Sequence, residues 1–295
     1  MAYKNIIAVS MLLASAGAAS AQAPLERGKY LVNAILACGN CHTPKDATGA
    51  PVMARELSGG IAFTVPPFNA TAANITPDRE TGIGNWSDDD IKRALTHGAR
   101  PANARLPSVP LAAVMAASFY KAILPDDQTA IVAYLRSVKP VRNEVPAPVY
   151  KAPVRHDHYP AADAGYTPDM MRDPVKRGSY LATIGHCMEC HSPRERGVSD
   201  YGPTGLGKGG RKFSAAEVQG FPAGWPGATA ANITSHPETG LGKWSDAEIK
   251  RAIAQGISRD GRKLQPPMDF ASYSGMTDAD MTAIVAYLRT VPPLQ

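Results

Sequence analysis

The chain has 295 residues, enough for two domains of ordinary size, and a formal charge of +5 at pH 7. Its basic residues are scattered, with "KGGRK" at 208–212 the one small cluster, so the sequence lacks the basic stripe with aromatic partners that a nucleic-acid binder shows. The 26 glycines and 26 prolines, against an aromatic share of 7%, point to compact, loop-rich units organised around something other than a large side-chain core.

The first 23 residues read as an export signal. Lys4 supplies the positive start, "IIAVSMLLASAGAA" is a short apolar run, and "ASA" (19–21) and "AQA" (21–23) are small-x-small cleavage sites. A leader over 1–23, cut after Ala21 or Ala23, predicts a periplasmic protein. No later stretch reaches the length of a membrane span; the nearest, 111–124, is short and carries Lys121. The mature chain is therefore expected to have no transmembrane segment and to be soluble or peripheral to a membrane.

Behind the leader, "LERGKYLVNAILA" shows apolar residues at helical spacing and runs into "ACGNCH" at 37–42. Next comes "NITPDRETGIGNWSDDDIKRALTHG" (74–98), in which Ser87 and the acidic residue three places on form a capping-box pattern. A long loop holding Met115 leads to "TAIVAYLR" (129–136). The stretch 143–172 is punctuated by prolines and reads as a linker of extended backbone, its His156 and His158 as solvated side chains.

The same blocks then return in the same order. "RGKYLVNAILACGNCHTP" (27–44) reappears as "RGSYLATIGHCMECHSP" (177–193), and the Asn-Ile-Thr block as "NITSHPETGLGKWSDAEIKRAIAQG" (232–256), with Ser245 as N-cap. "TAIVAYLR" recurs at 282–289, in a helix for which Thr277 is the expected N-cap. A period of about 150 residues indicates two duplicated units, not a solenoid. The expected architecture is mostly α-helical with long Gly/Pro-rich loops and weak strand signals: one unit over 24–142, the linker 143–172, and a second unit over 173–295.

The four cysteines are all spent in two CxxCH motifs. On a helical turn Cys38, Cys41 and His42 share one face, as do Cys187, Cys190 and His191. Two thiols can add to the two vinyl groups of a haem while the imidazole reaches the iron, which is the attachment pattern of c-type haem. A structural zinc site asks for four ligands and each unit offers two cysteines and one adjacent histidine. A redox dithiol would come with a βαβ pattern, and structural disulfides would leave the paired histidines unexplained. Two covalently bound haem c groups are the expected cofactors.

The ligand opposite the histidine decides what such a site does. Met268, in "LQPPMDF", is the candidate in the second unit. Aligning the two "TAIVAYLR" segments without gaps sets Met115 opposite it in the first, although the loop upstream is longer there. Met53 and His97 are the fallback candidates. Trp86 and Trp244 are placed to meet a haem edge, where an indole N–H could bond a propionate, the alternative being plain packing at a helix start. Asn74 and Asn232 sit in N-x-T sequons, and their recurrence in both units favours a structural role over glycosylation. Tyr134 and Tyr287, with Gly28 and Gly178, suit the packing of a last helix on a first.

Together, "CGNCHTP" and "CMECHSP", the paired Asn-Ile-Thr…Trp-Ser blocks and "LQPPMDFASYSGMTDADMTAIVAYLR" resemble class I c-type cytochromes. They are similar in particular to the cytochrome subunits of bacterial alcohol and gluconate dehydrogenases. The resemblance covers most of both units, though this chain has two haem motifs where those subunits commonly have three, and no evident membrane-binding tail. It implies two tandem class I cytochrome c domains and a backbone carbonyl accepting each haem histidine's Nδ1–H. It also implies an electron-transfer role, with a dehydrogenase as donor and a cytochrome or terminal oxidase as acceptor, and no catalytic residues. A dihaem peroxidase or another haem oxidoreductase is the enzymatic alternative, and it would need one open axial site.

Overall fold

The computed structural model describes residues 23–107 and 109–295, so the expected leader and its cleavage points lie outside the described residues but for Ala23. The first helix, α1 (23–35), ends in a π turn over Leu31–Ile35 that buries Leu31, Val32, Ala34 and Ile35. Ala37 then adopts a left-handed backbone with φ 50°, which stops the helix. A fresh single turn, α2 (Gly39–His42), starts behind Cys38. Further on come β1 (Ala62–Val65) and β2 (Phe68–Thr71), paired antiparallel, then α3 (Asp88–His97), α4 (Ala117–Tyr120) and α5 (Pro125–Ser137).

The second half repeats this order. After β3 (Val149–Tyr150) and α6 (Pro160–Ala164) come α7 (Pro174–Ile184) and α8 (Cys187–His191). His186, with φ 42°, breaks the backbone between α7 and α8 as Ala37 does between α1 and α2. Two short ladders follow, β4 (Arg194–Glu195) with β5 (Val198–Ser199), and β6 (Lys212–Phe213) with β7 (Ala228–Thr229). The half closes with α9 (Asp246–Gln255), α10 (Phe270–Tyr273) and α11 (Asp278–Thr290).

The expected caps are present. Ser87 and Ser245 each form a full capping box, and the Thr277 side chain accepts from the Asp280 N–H. In each half the first helix meets the last at a glycine. A Cβ on Gly28 would lie 1.9 Å from the Ala130 carbonyl oxygen, and one on Gly178 1.8 Å from that of Ala283, with Tyr134 and Tyr287 alongside. Only a residue without a side chain lets the helix backbones come this close.

The halves are joined by an exchange of like contacts. Tyr30 Oη donates to Asp280 Oδ2 at 2.6 Å, and Tyr180 Oη donates to Asp127 Oδ2 at 2.6 Å. Each tyrosine also accepts from the N-cap of the other half's last helix, Tyr30 from Thr277 N–H at 3.2 Å and Tyr180 from Leu124 N–H at 3.3 Å. Each aspartate is paired in its own half, Asp127 with Arg27 and Asp280 with Arg177. Such reciprocity is the pattern of a two-fold interface, here within one chain. Around it a single apolar cluster runs through both halves, from Leu31, Ile35 and Ile131 to Ile184, Ile284 and Leu288.

Two expectations need correcting. The stretch 143–172 is not a simple extended tether. Its β3 pairs antiparallel with β2, and Tyr159, 1% exposed, stacks on Phe119 at 4.5 Å between ring centres and meets Tyr201 edge-on. Pro160 opens α6 and Pro168 opens a 3-10 turn, positions where a missing N–H breaks no helical bond. His158 is exposed and pairs with Asp163 at 2.5 Å, but His156 is half-buried against Gly98, whose bare α-carbon leaves room for the imidazole. The weak strand signals match the little strand present, of which the longest piece is the hairpin of β1 and β2 around Pro66 and Pro67. Among the described residues no helix is long and apolar enough to cross a membrane.

Replacing Gly178 or Gly28 with alanine should force the paired helices apart and lower stability by about 3 kcal/mol or more, the upper range of core overpacking. Thermal unfolding followed by circular dichroism checks this; an unchanged midpoint in both variants would contradict the close-contact reading.

Candidate functional site

The breaks at Ala37 and His186 re-aim the chain so that each CxxCH motif sits on its own short turn at the end of the first helix of its half. Cys38 stands at the N-cap of α2, with Cys41 and His42 on that turn, and α8 carries Cys187, Cys190 and His191. All four thiols are free and half-buried. Burial pushes Cys38 and Cys190 up to about 12, and Cys41 and Cys187 up to about 11. A redox dithiol works through a thiolate stabilised near neutral pH, and this environment does the opposite.

The histidines are held from behind. His42 Nδ1 lies 2.6 Å from the Ala73 carbonyl oxygen and His191 Nδ1 2.7 Å from that of Ala231. A carbonyl only accepts, so Nδ1 carries the proton and Nε2 keeps its lone pair. Burial lowers both imidazole pKa values, the carbonyl bond opposing it in part, which favours the neutral ring a metal ligand must be.

The carbonyls are themselves pinned by the Asn-Ile-Thr blocks. Asn74 Nδ2 donates to Thr81 Oγ1 at 3.0 Å and to the Val141 carbonyl at 2.7 Å. Its Oδ1 accepts from the Thr76 N–H at 3.0 Å and from Thr76 Oγ1 at 2.7 Å. Asn232 repeats the pattern with Thr239, Leu294 and Thr234. The residue after each carbonyl thus ties the loop to the chain that leaves the last helix. With Asn74 only 3% exposed, its sequon is structural.

Met115 and Met268 occupy corresponding places. Each stands two residues ahead of the one-turn helix, α4 or α10, that precedes the last helix. The one register that superposes α4 on α10 also superposes α5 on α11, so the gapless alignment holds across the whole segment. Both methionines are half-buried, and Met115 packs against the main core. Of the fallback ligands, Met53 is 59% exposed, and His97 is exposed with its Nδ1 2.7 Å from Thr96 Oγ1. Trp86 and Trp244 are half-buried against the core, and their carbonyls accept from Arg136 and Arg289 of the last helices.

The first site has an extra wall. Ile61, Phe63 and Phe68 of the hairpin region cluster with Ala112, and Cys41 and Val114 pack against them. The second half covers this wall: Thr64 N–H donates to the Glu217 carbonyl at 2.8 Å and Gln219 N–H to that of Ala62 at 2.9 Å. Sequence reasoning passed over Arg136 and Arg289, although both lie in the repeated "YLR", and over the left-handed Ala37 and His186, which carry no glycine signal. Each half offers as candidate ligands two thiols on one turn, an imidazole with its lone pair free, and a methionine on the repeated loop. This set fits a covalently held haem.

Comparison with known proteins finds cytochromes c. Residues 175–292 match the cytochrome c family. The chain is 32% identical over 297 residues to the fructose dehydrogenase cytochrome subunit of Gluconobacter japonicus, covering 93% of this chain and 54% of that one. It is 29% identical over 286 residues to the gluconate 2-dehydrogenase cytochrome c subunit of Pantoea cypripedii, covering 90% and 59%. It is 28% identical over 269 residues to a diheme cytochrome c-type protein of Cereibacter sphaeroides, covering 88% and 83%. The chain thus spans somewhat more than half the length of the first two relatives.

Asn74→Ala removes four hydrogen bonds from a buried position and should cost about 2–4 kcal/mol, since the Val141 carbonyl and Thr76 lose their partners. Denaturant unfolding measures the loss. A variant within 0.5 kcal/mol of the parent, on the order of a neutral surface change, would remove the anchoring role.

Proposed function

We propose that this chain, a member of the cytochrome c family, binds two haem c groups and carries single electrons from a dehydrogenase towards the respiratory chain. The observation that carries the proposal is the doubled histidine geometry, in which Nδ1 is tied to a backbone carbonyl and Nε2 is free. Cys38 and Cys41 would hold one haem and Cys187 and Cys190 the other, with His42 and Met115, and His191 and Met268, as axial ligands. Trp86 and Trp244 are assigned to the haem edges, a role supported by their half-burial at the starts of α3 and α9.

When bound, haem supplies reversible one-electron chemistry between Fe(II) and Fe(III). The chain's own residues then have four tasks. The cysteines fix the ring covalently, and the imidazoles are oriented by Ala73 and Ala231. The thioethers of Met115 and Met268 would serve as second protein ligands to the iron, a donor type that favours electron transfer over oxygen or peroxide chemistry and raises the potential. The apolar walls exclude water. No proton or group is transferred, so no general acid or nucleophile is required. The shared register of the two methionines supports the carrier reading over a dihaem peroxidase.

The names of the relatives support a dehydrogenase as electron donor; the proposal adds a cytochrome or terminal oxidase as acceptor and, from the leader-like pattern of 1–23, a periplasmic location. The two domains are assigned to 24–142 and 173–295.

Purified protein should contain two haems per chain. Met115→Ala and Met268→Ala should each remove about half of the methionine-to-iron charge-transfer absorption of the oxidised protein, one site of two. If Met115→Ala leaves that band intact, the first site is not ligated as proposed.

A further inference from the structure

The contacts across the interface are reciprocal at the tyrosines but not at the haem-binding turns. Asn40 lies between the two cysteines of the first motif. Its Nδ2 donates to the carbonyl oxygen of Pro267 at 3.0 Å, in the other half of the molecule. Pro267 immediately precedes Met268. The Asn40 amide is oriented from its other end, because Oδ1 accepts from Lys45 Nζ at 3.1 Å. The same ammonium stands 5.1 Å over the ring of Phe221, another residue of the second half. On the far side of Met268, Asp269 caps α10 by accepting from Ser272 Oγ at 2.6 Å and from its N–H at 3.3 Å. Met268 is therefore bracketed by a residue bonded to the first CxxCH turn and a residue locked to its own helix.

The reverse contact does not exist among the described residues. Glu189 holds the place in α8 that Asn40 holds in α2. Its carboxylate lies 3.2 Å from His186 Nδ1 and its carbonyl accepts from Arg211 at 2.6 Å, and neither group bonds the Met115 loop. That loop is held within its own half, by the Met115 N–H to Ala112 carbonyl bond at 2.8 Å and by the packing of Ala112 under the hairpin.

We propose that Asn40, from the haem-binding turn of the first site, is a positioning residue for Met268, the distal ligand of the second. The inference rests on the ligand assignment made under the proposed function. A thioether is a weak ligand, and its occupancy depends on how well its loop is held in place before it binds. The Asn40 bond fixes the peptide next to the ligand and lends the second site a support that the first site finds in its own hairpin. One site's attachment turn thereby tunes the other's axial bond.

The test uses the holoprotein with both haems attached. In a Met115→Ala background the remaining charge-transfer band reports the second site alone, and in a Met268→Ala background the first site alone. Asn40→Leu keeps the volume and removes the donor, and Asn40→Ser guards against a packing artefact. With two haems per chain retained, either change should weaken methionine ligation at the second site roughly five-fold, the worth of one net hydrogen bond. The band should then be lost on alkaline titration about 0.7 pH unit lower than in the parent, the same factor of five for a one-proton ligand exchange. The first-site band should not move. Equal shifts at both sites, or no shift at either, would overturn the inference while leaving the ligand assignment standing. If Met268→Ala removes no band, the assignment fails and the inference with it.

Discussion

The exchange of tyrosine–aspartate bonds between the halves is the constraint on which the rest depends. Tyr30 reaches Asp280 and Tyr180 reaches Asp127, each at 2.6 Å. A hydrogen bond to a charged group contributes about 1.5–3 kcal/mol, and here each tyrosine oxygen also caps the partner half's last helix. Asp280, 2% exposed, is tolerated in the interior because Arg177, Tyr30 and its own helix N-terminus all face it. The bonds tie the first helix of each half to the last helix of the other. Since the CxxCH turns hang from the ends of the first helices, the bonds hold both of those turns in place as well.

From that frame the site is built outward by repetition. A glycine in each first helix admits the last helix, and a left-handed residue ends the first helix and re-aims the cysteines. An Asn-Ile-Thr tether then brings a distant carbonyl behind the histidine. Asymmetry enters in the loops between these blocks and at Asn40, whose place Glu189 takes in the second half. The first half invests its long loop in a hairpin that walls its own site, and the second sends residues 217–219 across to β1. If both turns hold a haem, their different walls give the two sites different reduction potentials, because burial and access to water tune a haem as its ligands do.

Much of this was legible in the residues. The duplication, the helix caps at Ser87, Ser245 and Thr277, the helix-contact glycines and the cysteine–histidine triplets are local patterns, and local patterns survive in sequence. The shared register of Met115 and Met268 followed from the last-helix repeat alone, despite unequal loops upstream. What was hidden is long-range. Ala73 lies 31 residues from His42 and Ala231 lies 40 from His191, and a backbone carbonyl carries no residue signature. The ordered course of 143–172 was hidden for a related reason: its prolines fit helix starts and loop positions as readily as a tether, and only the burial of Tyr159 decides between them. Asn40 was invisible because its partner is a carbonyl in the other half.

The claim that matters most is that both irons share one ligand set, a histidine and a methionine. Near-infrared magnetic circular dichroism of the fully oxidised wild-type protein, quantified per haem, measures it directly. Two low-spin histidine–methionine centres per chain are expected; one high-spin or bis-histidine centre would contradict the equivalence of the two sites.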